Sequence, residues 1–298
     1  MLWRKGKCLA NGVEIAWEES GSETGEPIVL VMGLGLQLIH WPEDLCQQLV
    51  ERGFRVIRFD NRDVGLSGAA DNGIEVNMPR DWLRSRIGLP IKANYRLHDM
   101  AADTVGLLDA LGIGKAHLAG ISMGGMIAQI ASGLYPQRVQ SLTSIMSTTN
   151  ERRLPGPKLN VLMHMSKTGA NPTRESVIER SIKFFNMVGS PAYPSPDQRR
   201  ADMAGAAFDR AYRPEGVLRQ MHGILATGGF SDISASIKAP TLIIHGKEDP
   251  LVRPEAGRRC AKVIPNARLQ LYKGMGHDFP APLFPEWAEL IAQNAART

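Results

Sequence analysis

The sequence predicts an α/β fold, a doubly wound and mostly parallel sheet with an inserted helical lid. Three observations predict it. Short apolar runs of strand length recur along the chain, most plainly at Pro27–Met32, Ala116–Gly120 and Thr241–His245. Helical periodicity separates most of these runs, the alternation that parallel strands require. The rhythm then stops between residue 147 and about residue 230, where Pro and Gly turns divide helical stretches without convincing buried strands, and afterwards it resumes.

Taken in order, Cys8–Ala10 and Val13–Trp17 read as two short strands around Asn11-Gly12, a pair that supplies the positive φ a tight turn needs. Pro27–Met32 is apolar on both alternations, as a strand covered on both faces must be, and it ends at Gly33-Leu34-Gly35. Trp41–Glu51 has helical spacing through Leu45, Leu49 and Val50 and stops at Gly53. Arg55–Phe59 is the next strand, Leu97–Leu111 the next long helix, and Ala116–Gly120 the strand that leads into Ser122 and a helix to about Leu134. Gln140–Met146 is a further strand. Arg174–Met187 and Gln198–Arg210 are helices of the lid. Thr241–His245 and Arg268–Tyr272 complete the sheet, and a helix from about Pro285 to Arg297 closes the chain. The expected domains are therefore a core of residues 1–146 and 231–298 and a lid of residues 147–230.

The 298 residues are 43% hydrophobic and 22% charged, ample for a large core and unlike a disordered or collagenous chain. No apolar run reaches the roughly 18–20 residues of a membrane span. The first residues carry positive charge without an apolar stretch behind it, so no secretory signal is expected. Cys8, Cys46 and Cys260 are odd in number and far apart, which argues against a disulfide framework and for the cytoplasm. The net charge is +5, and all of the excess falls in residues 151–238, with 13 Lys/Arg against 8 Asp/Glu. These cations are scattered rather than run together, so nucleic acid is not an expected partner.

Gly120-Ile-Ser122-Met-Gly124 is a Gly-x-Ser-x-Gly match with an apolar strand before it and a helix after it. Small residues at those positions permit a sharp strand-to-helix turn that lifts the serine oxygen clear of the sheet. A serine hydroxyl needs a base, and the base needs an orienting acid. His277, in Gly274-Met-Gly-His277, follows the final strand; Asp249, in Gly246-Lys-Glu-Asp249, follows the strand before it, with Glu248 as its rival. The order Ser122, Asp249, His277 suits this architecture. The Met123 and Leu34 N–H groups are the expected oxyanion donors.

At these residues the sequence resembles the α/β-hydrolase family, over nearly its whole length. Met32-Gly33 stands where members usually have His-Gly, and Asp60-Asn-Arg62-Asp-Val-Gly-Leu-Ser67 corresponds to a loop that is usually structural. Val31-Met-Gly-Leu-Gly35, Trp41-Pro42 and Asp60-Asn-Arg62 look most like the branch containing aclacinomycin methylesterase. That resemblance implies a serine carboxylic-ester hydrolase with a small-molecule ester substrate, a methyl ester on a polyketide being one form. No cofactor is expected; the resemblance leaves the oligomeric state open, a homodimer being one form. Lactone opening, carbon–carbon hydrolysis and perhydrolysis on the same triad stay open, as does a receptor that keeps the triad and turns over negligibly.

Trp82, Leu83 and Ile87, in the long connection of residues 68–95, are candidates for the entrance. Met163, Met165, Met187, Met203, Met221, Phe184 and Phe185 are candidates for an adaptable apolar pocket in the lid. The other histidines, His245 included, lack a second ligand at metal spacing, so no metal is expected. Cys260 reads as an inert thiol on a helix.

Overall fold

The computed structural model describes residues 1–165 and 172–298, apart from the side chain of Met165. Eight strands form one sheet: β1 (Arg4–Ala10), β2 (Val13–Ser20), β3 (Glu26–Val31), β4 (Phe54–Phe59), β5 (Ala116–Ile121), β6 (Val139–Ile145), β7 (Thr241–Gly246) and β8 (Arg268–Tyr272). Their order is β1-β2-β4-β3-β5-β6-β7-β8, parallel from β4 to β8 and antiparallel at β1 and β2. This is the α/β-hydrolase fold. The hairpin turns on Asn11 and Gly12, at φ 47° and 77°. β1 begins four residues earlier than the apolar pattern suggests, because Arg4 and Lys5 on this edge strand pair across it with Glu19 and Glu18 at 3.0 and 2.9 Å. Ion pairs leave no hydrophobic periodicity to read.

Helices cover both faces. On one, α1 (Glu43–Glu51) and α11 (Phe284–Ala295) enclose Ile28, Leu30, Trp41, Ile244 and Trp287. On the other, α3 (Leu97–Ala110), α4 (Met123–Leu134) and α10 (Pro254–Val263) enclose Val29, Val31, Leu107, Ile127 and Ile243. Alternate residues of β3 thus feed opposite cores, which is why its apolar run is continuous.

The connection before α3 holds a helix, α2 (Met78–Ile87), that apolar spacing alone does not reveal. Its ends are chemical rather than periodic. The Asn77 side chain accepts the Arg80 N–H at 3.1 Å, and Gly88 ends the helix in the left-handed region at φ 79°. Between β6 and β7 come α5 (Leu159–Met165), α6 (Arg174–Val188), α7 (Asp197–Arg210), α8 (Pro214–Thr227) and α9 (Ser231–Ala235). α9 packs on α4, α8 meets α2 and α3, and α6 lies against α7. Among the described residues no helix is long and apolar enough to cross a membrane.

Candidate active site

The turn from β5 into α4 is tight. Ser122 sits at φ 54° and ψ −119°, a conformation that a non-glycine residue keeps only where its surroundings enforce it. Here the Ser122 N–H donates to the Ile145 carbonyl at 2.8 Å, and the Ser147 hydroxyl donates to the Ser122 carbonyl at 2.7 Å. A Cβ on Gly120 would stand 2.2 Å from the Gly124 oxygen, and one on Gly124 would stand 2.0 Å from the Val31 oxygen. The motif's glycines are therefore a packing requirement. The Ser122 hydroxyl is part-exposed and makes no hydrogen bond among the described residues.

At the end of β7, Asp249 is buried and fully engaged. Its Oδ1 accepts the Leu251 and Val252 N–H groups at 2.9 Å each, and its Oδ2 meets His277 Nδ1 at 2.6 Å. Glu248 points elsewhere and accepts the Gly274 N–H at 2.6 Å. His277 follows β8, and its N–H donates to the Val188 carbonyl at 2.6 Å, which ties its loop to the end of α6. The tie is doubled next door. The Ser190 hydroxyl accepts from Gly276 N–H at 2.9 Å while donating to Asp278, whose carboxyl burial pushes up in pKa.

His245, which the sequence places without a second ligand at metal spacing, lies against the acid. It is fully buried, with Nε2 2.8 Å from the Val252 carbonyl and 3.6 Å from Asp249 Oδ2, so it props the turn that carries Asp249. Burial lowers its pKa, which favours the neutral ring.

The loop after β3 turns at Gly33–Leu36, with Gly35 at φ 69°. Neither the Leu34 nor the Met123 N–H meets an acceptor among the described residues. The loop itself is held from both sides. Asn61 Nδ2 donates to the Met32 carbonyl at 2.9 Å. Gln220, buried on α8, accepts the Gly35 N–H at 2.9 Å and donates to the Arg62 carbonyl at 2.8 Å. Nothing in the local sequence marks Gln220; its polarity on a helix face that packs inward is the one available signal.

Asp60 and Arg62 hold the neighbouring loop. Asp60 accepts from the Leu38 and Leu66 N–H groups at 2.7 and 2.9 Å and from Arg210 at 2.7 Å, while Arg62 grips Asp103. Burial raises the Asp60 pKa, and Arg210 opposes that rise. Arg219 of α8 clasps buried Asp63 at 3.0 and 2.8 Å, and Arg213 donates to the Ser67 carbonyl at 2.5 Å.

These elements surround a cavity of about 1300 Å³. Leu34, Ser122, Met123 and His277 line it, as do Trp82, Phe184, Phe185, Met203 and Met221. Met163 is 52% exposed and is not among the described lining residues, whereas Leu162 and His164, beside it on α5, line the cavity. Met187 also lies outside the lining, and the Met165 side chain lies outside the described residues. Leu83 and Ile87 are exposed on α2 without lining the cavity. Cys46 and Cys260 are buried, and burial pushes each thiol up to about 12. No group of three His, Cys, Asp or Glu gathers at metal distance among the described residues.

Comparison with known proteins agrees with the architecture. Residues 26–167 match the family model described as alpha/beta hydrolase fold. The chain is 24% identical over 315 residues to rhodomycin D methylesterase DnrP of Streptomyces peucetius, covering 98% of this chain and 99% of that one. It is 25% identical to Lipase 1 of Psychrobacter immobilis, covering 92% and 78% respectively. Among solved structures, the enol-lactonase of Burkholderia xenovorans superposes with a TM-score of 0.74 at 20% identity, over 98% of this chain and 100% of that one. That last likeness is one of fold.

Proposed function

This chain is an α/β hydrolase by fold, and from that premise we propose that it is a serine hydrolase that cleaves carboxylic esters through an acyl-enzyme. The observation that carries the reading is the 2.6 Å bond from His277 Nδ1 to Asp249 Oδ2, beside a cavity that Ser122 also lines. Asp249, itself fixed by two N–H groups, selects the tautomer with hydrogen on Nδ1 and leaves Nε2 to accept the Ser122 proton. Ser122 Oγ attacks the ester carbonyl, and the Leu34 and Met123 N–H groups hold the negative oxygen, an effect of about 3 kcal/mol per donor. His277 then protonates the departing alcohol, and water repeats the sequence on the acyl group. No cofactor enters these steps.

In this reading residues 147–230 form the lid over a core of residues 1–146 and 231–298. Trp82, Phe184 and Phe185 belong to the substrate pocket. The likeness to a rhodomycin D methylesterase supports a methyl ester of a bulky acid, for which the cavity has room.

Turnover of p-nitrophenyl esters from acetate to dodecanoate, with wild type and Ser122→Ala, tests the reading. Repeated turnover in wild type should fall by at least about 10⁴-fold in the variant, with Tm preserved. Unchanged turnover in Ser122→Ala overturns the mechanism. Stoichiometric labelling of wild type alone by a fluorophosphonate would identify Ser122 as the nucleophile independently of substrate choice.

A further inference from the structure

Some charged side chains at the cavity are already engaged. Glu151 takes both arms of Arg259 at 2.7 and 2.9 Å, and Asp278 accepts from Ser190. Arg200 donates to Asn186 and faces Asp197. The rest do not balance. Arg86, Arg152, Arg180 and Arg199 line the cavity against one carboxylate, Glu215, and none of the five makes a hydrogen bond or ion pair among the described residues. Three of these cations belong to the segment that holds the entire +5 excess of the chain.

Arg180 is the informative one. Val177, Arg180, Ser181 and Phe184 all line the cavity, and their spacing makes one inward stripe of α6. Arg180 therefore occupies a part-buried position on the stripe where a bundle helix ordinarily places an apolar residue. A guanidinium held there gives up some hydration without gaining a counter-charge among the described residues. Arg199 lines the same cavity from α7, one turn before Met203. Arg86, Arg152 and Arg199 are exposed, so the charge that sits against apolar walls is that of Arg180, and a planar guanidinium fork suits a carboxylate.

We propose that the site selects esters whose acyl part is an apolar chain ending in a carboxylate, held by Arg180 with Arg199 while Arg86 and Arg152 add to the positive field. The inference deepens the serine-hydrolase reading, which says where the ester bond is cut; the arginines say what lies at the substrate's other end.

The test compares the mono-p-nitrophenyl ester of octanedioic acid with p-nitrophenyl octanoate, equal in chain length and different by one terminal charge. At about 0.01 M salt, where charges act over about 30 Å, kcat/KM should favour the anionic ester about tenfold. At about 1 M salt, with screening beyond about 3 Å, that ratio should fall toward unity. Arg180→Gln should lower the ratio, Arg180→Lys should restore part of it, and Glu215→Gln should raise it. Calorimetric titration of Ser122→Ala with the same two esters reads binding without turnover. Tighter binding of the anionic ester there supports the proposal even where wild type hydrolyses neither, which would count against the hydrolase reading alone. Equal ratios and equal affinities, absence of binding by both included, overturn it.

Discussion

Replacing Gln220 by Leu isolates the link between α8 and the loop that presents the Leu34 N–H. The two side chains are similar in size, so the change removes two hydrogen bonds with little change in packing volume. The Gly35 N–H, bonded at 2.9 Å, and the Arg62 carbonyl, bonded at 2.8 Å, both lose their partner. An unsatisfied buried polar group costs about 1–3 kcal/mol; with the part-buried Gly35 N–H at the lower end, the two together set the loss of stability at about 2–4 kcal/mol. At about 2–4 °C per kcal/mol for a chain of this size, Tm should fall by about 4–16 °C. The kinetic consequence follows from position. A displacement of about 1 Å in a group facing the reacting centre lowers rate by up to about 10²-fold. Gln220→Leu should therefore reduce kcat by about tenfold or more on a p-nitrophenyl ester and leave KM within about twofold, since the oxyanion forms only after attack. Gln220→Glu keeps an acceptor for the Gly35 N–H and loses the donor to Arg62, so it should lose stability while retaining most of kcat. Thermal unfolding by circular dichroism and steady-state kinetics on the same preparations decide the matter. Wild-type Tm and kcat in Gln220→Leu would refute the reasoning. A fall in Tm with kcat untouched would refute the positioning role and leave a structural tie.

Arg219→Ala removes two bonds from Asp63, a fully buried carboxylate that keeps the Tyr95 hydroxyl at 2.7 Å. Breaking a buried pair costs about 3–5 kcal/mol, and the part-exposed Arg219 points to the lower end, so urea unfolding at neutral pH should show a loss near 3 kcal/mol. His40 lines the cavity, and burial pushes its pKa down to about 4. A histidine whose folded pKa is depressed contributes stability above its unfolded value near 6.5 and loses that contribution as pH falls toward the folded value. The stability gap between wild type and His40→Asn should accordingly narrow by up to about 3 kcal/mol between about pH 6.5 and pH 4, in paired urea titrations. A gap independent of pH would show that His40 does not titrate differently on folding.

The parallel strands are legible in sequence because burial on both faces leaves only apolar residues, as in Ile28–Val31. Turn chemistry is legible too, since Asn11-Gly12 and the glycines around Ser122 have conformations or contacts that larger residues cannot share. The positions of Ser122, Asp249 and His277 after the ends of β5, β7 and β8 follow from that reading, and their placement at one sheet edge follows from parallel topology. α2 is hidden because its apolar residues Trp82, Leu83 and Ile87 are exposed and set up no inward stripe. Gln220, Ser190 and His245 are hidden for a different reason. Each acts through partners remote in sequence, or through a backbone group, and a carbonyl has no letter in the sequence. Met187 illustrates the converse: residue type suggests a pocket, yet it stands near the C-terminal end of α6 and outside the described lining.

The anchoring of the α6–α8 segment bears on how such a protein can diversify. Arg210, Arg213, Arg219 and Gln220 grip the 60–67 loop and Gly35, while Val188 and Ser190 grip the loop of His277. Exchanging the segment for one from a relative would break both grips at once, so it is not a cassette that can be shuffled freely. New selectivity is reached more readily by single substitutions on the inward stripe of α6, at Val177, Arg180, Ser181 and Phe184, which border the cavity and take no part in either grip. The molecule thus separates a face on which mutations are tolerated from a face on which they are not, along the same few helices.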